Sequence, residues 1–412
     1  MSSCRSCGST RLESVLSLGA TPVANALVDP ANADQRDPAY PLELVVCTEC
    51  SLVQLGLALP AEQLFDASYP YYSSFSEAFS RHAAAHVDRL VVERGLGPSS
   101  FAVEVASNDG YLLRHFVAAG VRTLGIDPSL GPAAAAEELG VPTIVGFFGV
   151  DAAEAIVAEH GQADVIIANN VMAHVPDLND FVGGFATLLA EDGLVTIENP
   201  YVRDLIDRVE FDTIYHEHYC YFSCLAVDAL MERHDLHLND VEYFPSLHGG
   251  TLRWYVGRQP NRTERCHDLI EAELAAGMTG VAYYAQFAGR VRTCQSELRS
   301  LLADLTAGGR RVAAYGAAAK GATLLNTTGI GTELVDYVVD RNVHKHGKLM
   351  PGCRLPIRPV EVLDQDRPQA LLLLAWNFAD EIVAQQRSYA DSGGTFYVPV
   401  PRPRKLDVGI SS

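Results

Sequence analysis

Short apolar runs alternate with helix-forming stretches through the middle of the chain. The runs cover residues 102–104, 124–127, 141–145, 163–170 and 193–199, and residues 111–116 between the first two have helical spacing. Strands that alternate with helices predict an α/β fold built on a doubly wound parallel sheet. Ligands of such sheets lie beyond the carboxyl ends of the strands, where Asp109, Asp127, Asn169 and Glu198 fall.

A second α/β pattern occupies the last third of the chain. Apolar residues recur every three or four positions and predict one face of a long helix: Phe287, Val291, Cys294, Leu298, Leu301 and Leu305. The order strand, small-residue turn, helix, strand and acid then returns over 311–340, with further strands at 370–374 and 395–398. This predicts a second Rossmann-like domain that carries Lys320 in its turn. A lysine at a helix start opposes the helix dipole, which indicates an anionic ligand there.

The N-terminal region carries two C-x-x-C pairs, Cys4/Cys7 and Cys47/Cys50, in otherwise loop-rich sequence. Each pair predicts a tight turn with both sulfurs on one side, and two such turns form a closed tetrahedral Zn²⁺ site of structural type. The metal would supply folding energy that so small a core lacks. Two unrelated reduced pairs are the alternative.

Composition narrows the function classes. The formal charge of −20 argues against nucleic acid or an anionic membrane as a partner. The first residues lack an apolar signal core, and no apolar stretch approaches the length of a membrane span, so we expect a soluble, cytoplasmic protein. Nine cysteines without an export signal favour metal binding over disulfides. A monomer is expected.

The segment 102–110 is the most informative part of the chain. A strand carrying Glu104 leads into a turn with Ser107, Asp109 and Gly110, and the next strand ends in Asp127–Pro128. This layout binds an adenosine-bearing cofactor, because the terminal acid can accept both ribose hydroxyls. With no pyrophosphate glycines, it resembles Rossmann-type S-adenosylmethionine (SAM) methyltransferases, which implies SAM contacts by these residues and by Asn169 and Asn170. Ala106 and Asn108 stand where such enzymes usually have glycine, although Asn tolerates left-handed backbone.

Residues 211–223 hold the densest set of titratable and aromatic groups. Tyr215, His216, Glu217 and His218 offer a general base, a phenol donor and a carboxylate able to orient an imidazole. Methyl transfer to carbon needs this equipment, since a C–H beside a carbonyl must be deprotonated and the enolate stabilised. A His-x-His metal pair and histidines that merely cap a loop are the alternatives. His174 after the fourth predicted strand and His248 beside two glycines are further candidates.

Together, the four cysteines, the 104–110 turn, Tyr-His-Glu-His at 215–218, His-Gly-Gly at 248–250 and Tyr-Gly-Ala-Ala-Ala-Lys-Gly at 315–321 resemble the sugar C-methyltransferases of deoxysugar biosynthesis. That family methylates a carbon beside the keto group of a nucleotide-linked 4-keto-deoxysugar, commonly C-3 of a dTDP-hexose. The resemblance implies roles for nine side chains. His218 would be the base, with Tyr215 near the keto oxygen and Glu217 in support, Tyr71 and His174 on the sugar, and Lys320 on a phosphate; Asn326, Arg341 and Asn377 are weaker candidates.

We therefore predict a zinc-binding module at 1–68, a class I (Rossmann-like) SAM methyltransferase domain at 69–258 and a Rossmann-like C-terminal domain at 259–412. Other C-methyltransferases, O-methyltransferases and nucleotide-sugar dehydrogenases are the alternative enzymes. A zinc-ribbon binding protein is the alternative outside enzymes. The sequence identifies neither the sugar nor the carbon.

Overall fold

The computed structural model describes residues 3–64, 73–75, 77–247 and 249–407. Its strands are β1 Leu12–Thr21, β2 Tyr40–Cys47, β3 Val53–Leu55, β4 Phe101–Val105, β5 Arg122–Asp127, β6 Thr143–Val145, β7 Ala163–Asn169, β8 Leu189–Pro200, β9 Cys220–Tyr221, β10 His237–Phe244, β11 Thr251–Gly257, β12 Val312–Tyr315, β13 Val338–Asp340, β14 Ile357–Pro359, β15 Ala370–Leu373, β16 Thr395–Val398 and β17 Arg404–Lys405. Its helices are α1 Ala61–Leu64, α2 Glu77–Arg94, α3 Leu113–Ala118, α4 Leu130–Glu138, α5 Val150–His160, α6 Leu178–Leu188, α7 Val202–Asp207, α8 Cys224–Glu232, α9 Glu264–Ala275, α10 Val281–Tyr284, α11 Phe287–Ala307, α12 Ala319–Thr328, α13 Val362–Asp366, α14 Ala379–Gln385 and α15 Arg387–Asp391.

The central sheet has seven strands in the order β10-β11-β8-β7-β4-β5-β6. The five strands from β8 to β6 run parallel, and β10 and β11 join them antiparallel. All five residues of β4 are buried, as expected for a parallel strand covered by apolar cores on both faces. The parallel order brings the carboxyl ends of β4, β5, β7 and β8 to one edge, so the predicted doubly wound α/β fold is confirmed.

The C-terminal sheet has the order β14-β13-β12-β15-β16-β17, and only β17 is antiparallel to its neighbour. The predicted second Rossmann-like domain is therefore present, with α11 packed against it. Leu302 is fully buried in α11, whereas Leu301, which the sequence placed on the inner face, is only partly buried. The spacing of four from Leu298 keeps Leu302 on the inner face.

The N-terminal sheet has the order β1-β2-β3-β9, all antiparallel. Three strands come from the cysteine-containing region, and the fourth, β9, comes from residues 220–221 of the central unit. Val53 and Gln54 pair with Tyr221 and Cys220. Strand β9 of the central unit thus lies in the same sheet as the strands of the zinc-binding region, and this pairing places the segment before β9 next to that region.

Packing of one helix crosses the predicted boundary at residue 258. Helix α9 begins after residue 258, yet Cys266 and Ile270 lie in the core of the central unit, next to α8 and β10. Local sequence does not show which core an amphipathic helix joins, because its apolar stripe fits either one. Within the described residues, no helix is both long and apolar enough to cross a bilayer.

Candidate active site

The turn after β4 has an unusual backbone. Ala106, Asn108 and Gly110 all have positive φ, at 56°, 50° and 73°. Two non-glycine residues therefore adopt the left-handed conformation at the positions where glycine was expected, and the turn forms without it. Gly125 in the neighbouring strand makes room for this turn, because a Cβ there would lie 2.3 Å from Ser107 Oγ. The loop thus packs tightly onto β5.

Two acids flank this loop at the carboxyl edge of the sheet. Asp127 Oδ2 accepts from the Asn108 N–H at 2.9 Å, and Oδ1 accepts from the Ser129 N–H at 2.8 Å. Each carboxylate oxygen has a second lone pair that a ribose hydroxyl can use. Burial raises the pKa of Glu104 well above its usual value, and the charges of Asp109 and Asp127 raise it further. A cation placed beside these three carboxylates would relieve both penalties.

Several buried polar atoms at this edge have no hydrogen-bond partner among the described residues: Glu104 Oε2, Ser107 Oγ, Asp109 Oδ1 and Asn169 Oδ1. Buried polar atoms are normally hydrogen-bonded, so a cluster of unpaired ones indicates a site that binds a polar ligand. A cationic sulfonium with an amino acid head and a ribose fits this donor and acceptor set, and the loop therefore fits SAM. Asn170, with φ of 54°, donates its N–H to Glu198 O, and Pro128 is half-buried beside Asp127.

The segment 73–75 is hydrogen-bonded to the side chains of this loop. The Ser73 N–H donates to Asn108 Oδ1 at 2.8 Å, and the Ser74 N–H donates to Asp109 Oδ2 at 3.1 Å. The side chains of Asn108 and Asp109 thus hold the chain that leads into α2, a role that no sequence motif predicted. Tyr71, predicted to touch the sugar, lies outside the described residues, and so does His248.

His218 is held at both ring nitrogens. Its Nδ1 lies 2.9 Å from Thr213 O, and its Nε2 lies 2.8 Å from the Tyr215 hydroxyl. A carbonyl oxygen can only accept, so Nδ1 carries a proton, and in the neutral ring Nε2 then presents a lone pair to the phenol. The Tyr215 and His218 rings are stacked with centroids 4.0 Å apart. An imidazole nitrogen and a phenol hydroxyl are thus in direct hydrogen-bond contact.

His174 lies next to this base. The two imidazole centroids are 4.7 Å apart, and His174 Nδ1 donates to Glu217 O at 2.7 Å. Burial lowers the pKa of His174 to about 4, so its ring is neutral near pH 7. The loop is tied to the cofactor edge here as well, because the Tyr219 N–H donates to Ala173 O at 2.7 Å. The structure therefore brings Tyr215, His218 and His174 together near the end of β7.

Glu217 and His216 point toward the N-terminal region. Glu217 is fully buried, and its Oε2 accepts from Asn25 Nδ2 at 2.5 Å. His216 Nε2 lies 3.2 Å from Tyr40 O. The expectation that the Glu217 carboxylate orients the His218 imidazole is therefore corrected, since the Thr213 carbonyl does so. Glu217 instead orients His174, through its backbone carbonyl, while its side chain fixes the loop to the zinc-binding region.

Lys320 is half-buried at the start of α12. Its Nζ donates to Asn377 Oδ1 at 2.8 Å and lies 4.8 Å from the centroid of the Trp376 ring. Burial lowers the pKa of Lys320, whereas the charges of Asp212 and Glu210 raise it. Two carboxylates of the chain itself, Asp212 and Glu210, are thus close enough to Lys320 to influence its charge, and no sequence motif predicted them.

The other two C-terminal candidates serve the domain's own structure. Asn326 uses its amide N–H groups on Ala322 O and Pro351 O, at 2.8 and 3.0 Å. Arg341 is exposed and pairs with Glu381 at 3.6 Å. Asn326 thus stabilises the loop at Pro351, and Arg341 forms a surface ion pair. Neither contact supports substrate binding by these two residues.

The four N-terminal cysteines form one cluster. Their Sγ atoms all lie within 4.8 Å of one another, with Cys4–Cys50 at 3.5 Å and Cys7–Cys47 at 3.6 Å. Four thiolates at this spacing fit a tetrahedral Zn²⁺. Asn179 donates to the carbonyls of Arg5 and Ser6 within the first turn, which connects the cluster to α6.

Comparison with known proteins agrees with this architecture. Three family models match successive parts of the chain: a zinc-binding domain at residues 4–65, a methyltransferase domain at 79–241, and a C-methyltransferase C-terminal domain at 246–401. The C-methyltransferase NovU of Streptomyces niveus is 34% identical over 406 residues, which is 98% of this chain and 96% of that protein.

Solved structures resemble only part of the chain. Magnesium protoporphyrin IX methyltransferase of Synechocystis PCC 6803 with bound SAM is 12% identical, with a TM-score of 0.34, over 44% of this chain and 79% of its own. A 1,6-didemethyltoxoflavin-N1-methyltransferase of Burkholderia thailandensis is 16% identical, with a TM-score of 0.35, over 50% and 94%. Full-length similarity to NovU and the three consecutive domains decide the assignment: the chain belongs to the family of SAM-dependent C-methyltransferases with an N-terminal zinc-binding domain.

Proposed function

We propose that this C-methyltransferase acts on a nucleotide-linked 4-keto-deoxysugar, at a carbon beside the keto group, and that C-3 of a dTDP-hexose is the position methylated. The hydrogen-bonded pair of His218 and Tyr215 carries the proposal, because a neutral base beside a hydroxyl donor suits removal of a proton α to a carbonyl. The sequence resemblance to sugar C-methyltransferases supplies the substrate class.

In the proposed reaction, His218 Nε2 takes the proton from the carbon beside the keto group. The electrons of the broken C–H bond form the enolate, whose negative charge lies on the keto oxygen. Tyr215 donates its hydroxyl to Nε2 in this structure, so binding of the ketone must draw that hydrogen bond to the keto oxygen. One movement of the Tyr215 O–H thus frees the base and stabilises the enolate.

SAM, when bound, supplies the methyl group that the enolate carbon accepts. The cofactor residues of this proposal are Glu104, Ser107, Asp109, Gly110, Asp127, Pro128, Asn169 and Asn170. His174 is neutral and buried beside the base, which suits contact with a sugar hydroxyl rather than with a phosphate. Tyr71 and His248 are retained as sugar-site candidates from the sequence.

The test is proton exchange in D₂O on a dTDP-4-keto-6-deoxyhexose, followed by NMR. The demethylated cofactor S-adenosylhomocysteine is added first, so that deprotonation proceeds without methyl transfer. We expect deuterium at C-3 at a rate above that of the buffer, and a mass gain of one methyl group when SAM replaces it.

The position of the label distinguishes the alternatives. Deuterium at C-5 would move the reaction to the other carbon beside the keto group. Methylation on oxygen without exchange would establish an O-methyltransferase. Neither exchange nor methylation would refute this substrate class and leave the C-methyltransferase assignment standing. His218→Asn is the control that should lose exchange.

A further inference from the structure

At the carboxyl ends of strands β12 and β15, where a doubly wound sheet normally binds its ligand, the C-terminal domain contacts another part of the same chain. Strands β12 and β15 are parallel neighbours, and ligands of doubly wound sheets bind just beyond the carboxyl ends of such strands. Lys320 follows β12 and Trp376 follows β15 at this position. The group that lies there is the carboxylate of Asp212, from the short 3-10 helix Phe211–Thr213 that precedes the catalytic residues.

The contacts are specific and buried. The Trp376 indole N–H donates to Asp212 Oδ2 at 2.6 Å, and Asp212 is fully buried. Lys320 lies over the Trp376 ring and is held by Asn377, and its charge interacts with Asp212 and Glu210. A carboxylate buried at this depth needs a cation and a donor to remain charged, and the C-terminal domain supplies both.

The residue after Asp212 orients the base. Thr213 O accepts from His218 Nδ1 at 2.9 Å and thereby selects the tautomer in which Nε2 is free of its proton. Asp212 and Thr213 are neighbours in the same short 3-10 helix, which is internally hydrogen-bonded. The Ile214 N–H donates to Phe211 O, and the Thr213 hydroxyl donates to Glu210 O. A displacement of the Asp212 side chain would therefore move the Thr213 carbonyl with it.

We propose that Asp212, Lys320 and Trp376 are positioning residues through which the C-terminal domain sets the orientation and tautomer of His218. The ligand crevice of the second Rossmann-like domain then serves as a clamp on the catalytic loop, with Asp212 in the place of an external anion. The use of His218 as the base rests on the proposed function, but its tautomer does not, and the tautomer is what the first experiment measures.

The experiment is NMR of the full chain labelled with ¹⁵N-histidine. The His218 signals are identified by their loss in His218→Asn, and the wild type is expected to show the Nδ1–H form. Asp212→Asn and Lys320→Met should each shift His218 toward a mixture of tautomers. Trp376→Phe keeps the apolar ring and removes only the indole donor, so it remains informative if a charge variant folds poorly. Lys345→Met is the matched control.

Lys345 lies in the same domain, where it donates to Ala317 O and pairs with Asp340. Its replacement should lower thermal stability and leave the His218 tautomer unchanged. A merely structural role for Asp212, Lys320 and Trp376 predicts the same for all three of their variants. If well-folded Asp212→Asn and Trp376→Phe both keep the pure Nδ1–H form, the proposal is refuted.

Kinetics on an active substrate give a second, independent readout. Displacement of the base should lower kcat about 10- to 100-fold in Lys320→Met and Asp212→Asn, with KM for the nucleotide sugar and the Kd of SAM unchanged. The double variant should lose less than the product of the two single losses, since both act on the same catalytic loop through Asp212. If Lys320→Met raises KM while kcat and the tautomer are unchanged, Lys320 is a substrate phosphate ligand and the clamp is refuted.

Discussion

Replacement of His218 by Asn removes the proposed base while keeping the loop in place. The Asn amide nitrogen occupies nearly the same position as imidazole Nδ1, so it can still donate to Thr213 O, which now lies 2.9 Å from Nδ1. The atom lost is Nε2, the acceptor of the Tyr215 hydroxyl at 2.8 Å. The variant therefore separates the chemistry of the ring from its structural hydrogen bond.

The size of the loss follows from these two contacts. A positioned general base contributes about 10²- to 10⁴-fold in rate, or about 3–5 kcal/mol of transition-state stabilisation. Retention of the Thr213 bond means that little folding energy is lost. SAM affinity should stay within about twofold, because the cofactor loop and Asp127 share no hydrogen bond with His218 in the described contacts.

The assay compares single-turnover methyl transfer and solvent exchange of the α-proton in His218→Asn and wild type. Both rates should fall together, since both need the same deprotonation. His216→Asn is the matched control: His216 contacts Tyr40 O, and its loss should leave turnover unchanged. Turnover of His218→Asn within threefold of wild type would show that another group removes the proton.

Three further changes have defined outcomes. Cys47→Ser should lower zinc content, measured by plasma mass spectrometry, together with thermal stability; unchanged zinc would refute the four-cysteine site. Asp127→Ala should weaken SAM binding at least tenfold by calorimetry, because it removes the ribose acceptor and frees two loop N–H groups; equal affinity would place the ribose elsewhere. Burial lowers the pKa of His86 to about 3 and of His174 to about 4, so the unfolded chain binds more protons from pH 6.5 down to 4. Each histidine should therefore lower the free energy of unfolding by roughly 1.4 kcal/mol per pH unit as the pH falls across that window, while buried carboxyls with raised pKa, such as Glu104, contribute with the opposite sign. Urea titrations at pH 7 and 5.5 isolate the His86 part: if His86→Gln and the wild type show the same change in stability between the two pH values, the reasoning is wrong.

Features encoded in contiguous sequence were predictable. The strands of the parallel sheet are short apolar runs that end in polar residues, and that pattern depends only on neighbouring positions. The cysteine spacing likewise predicted a cluster that the structure shows. Ala106 and Asn108 depart from the glycine pattern, yet the turn adopts the same positive φ, since packing of the loop against Gly125 outweighs the small cost of the left-handed conformation.

Contacts between distant segments were not predictable. Asn25 reaches Glu217 across 192 residues, and Trp376 reaches Asp212 across 164. No periodicity records such pairs, because each depends on how separately folded units dock. Strand β9 has only two residues, too few to show alternation, and it is defined by its pairing with β3. Lys320 was recognised as a residue that needs an anion, but the sequence could not show that Asp212 provides it.

The pairing of β3 with β9 has a consequence for the order of folding. Until residues 220–221 emerge from the ribosome, the N-terminal sheet has an open edge at β3, and open edges invite pairing with other chains. At translation rates of about 5–20 residues per second, the roughly 165 residues between β3 and β9 take on the order of 10–30 s to synthesise. The last strand to join this sheet directly follows the loop of Tyr215 and His218, so the nascent chain completes its oldest sheet and brings that loop against the zinc-binding region in the same event.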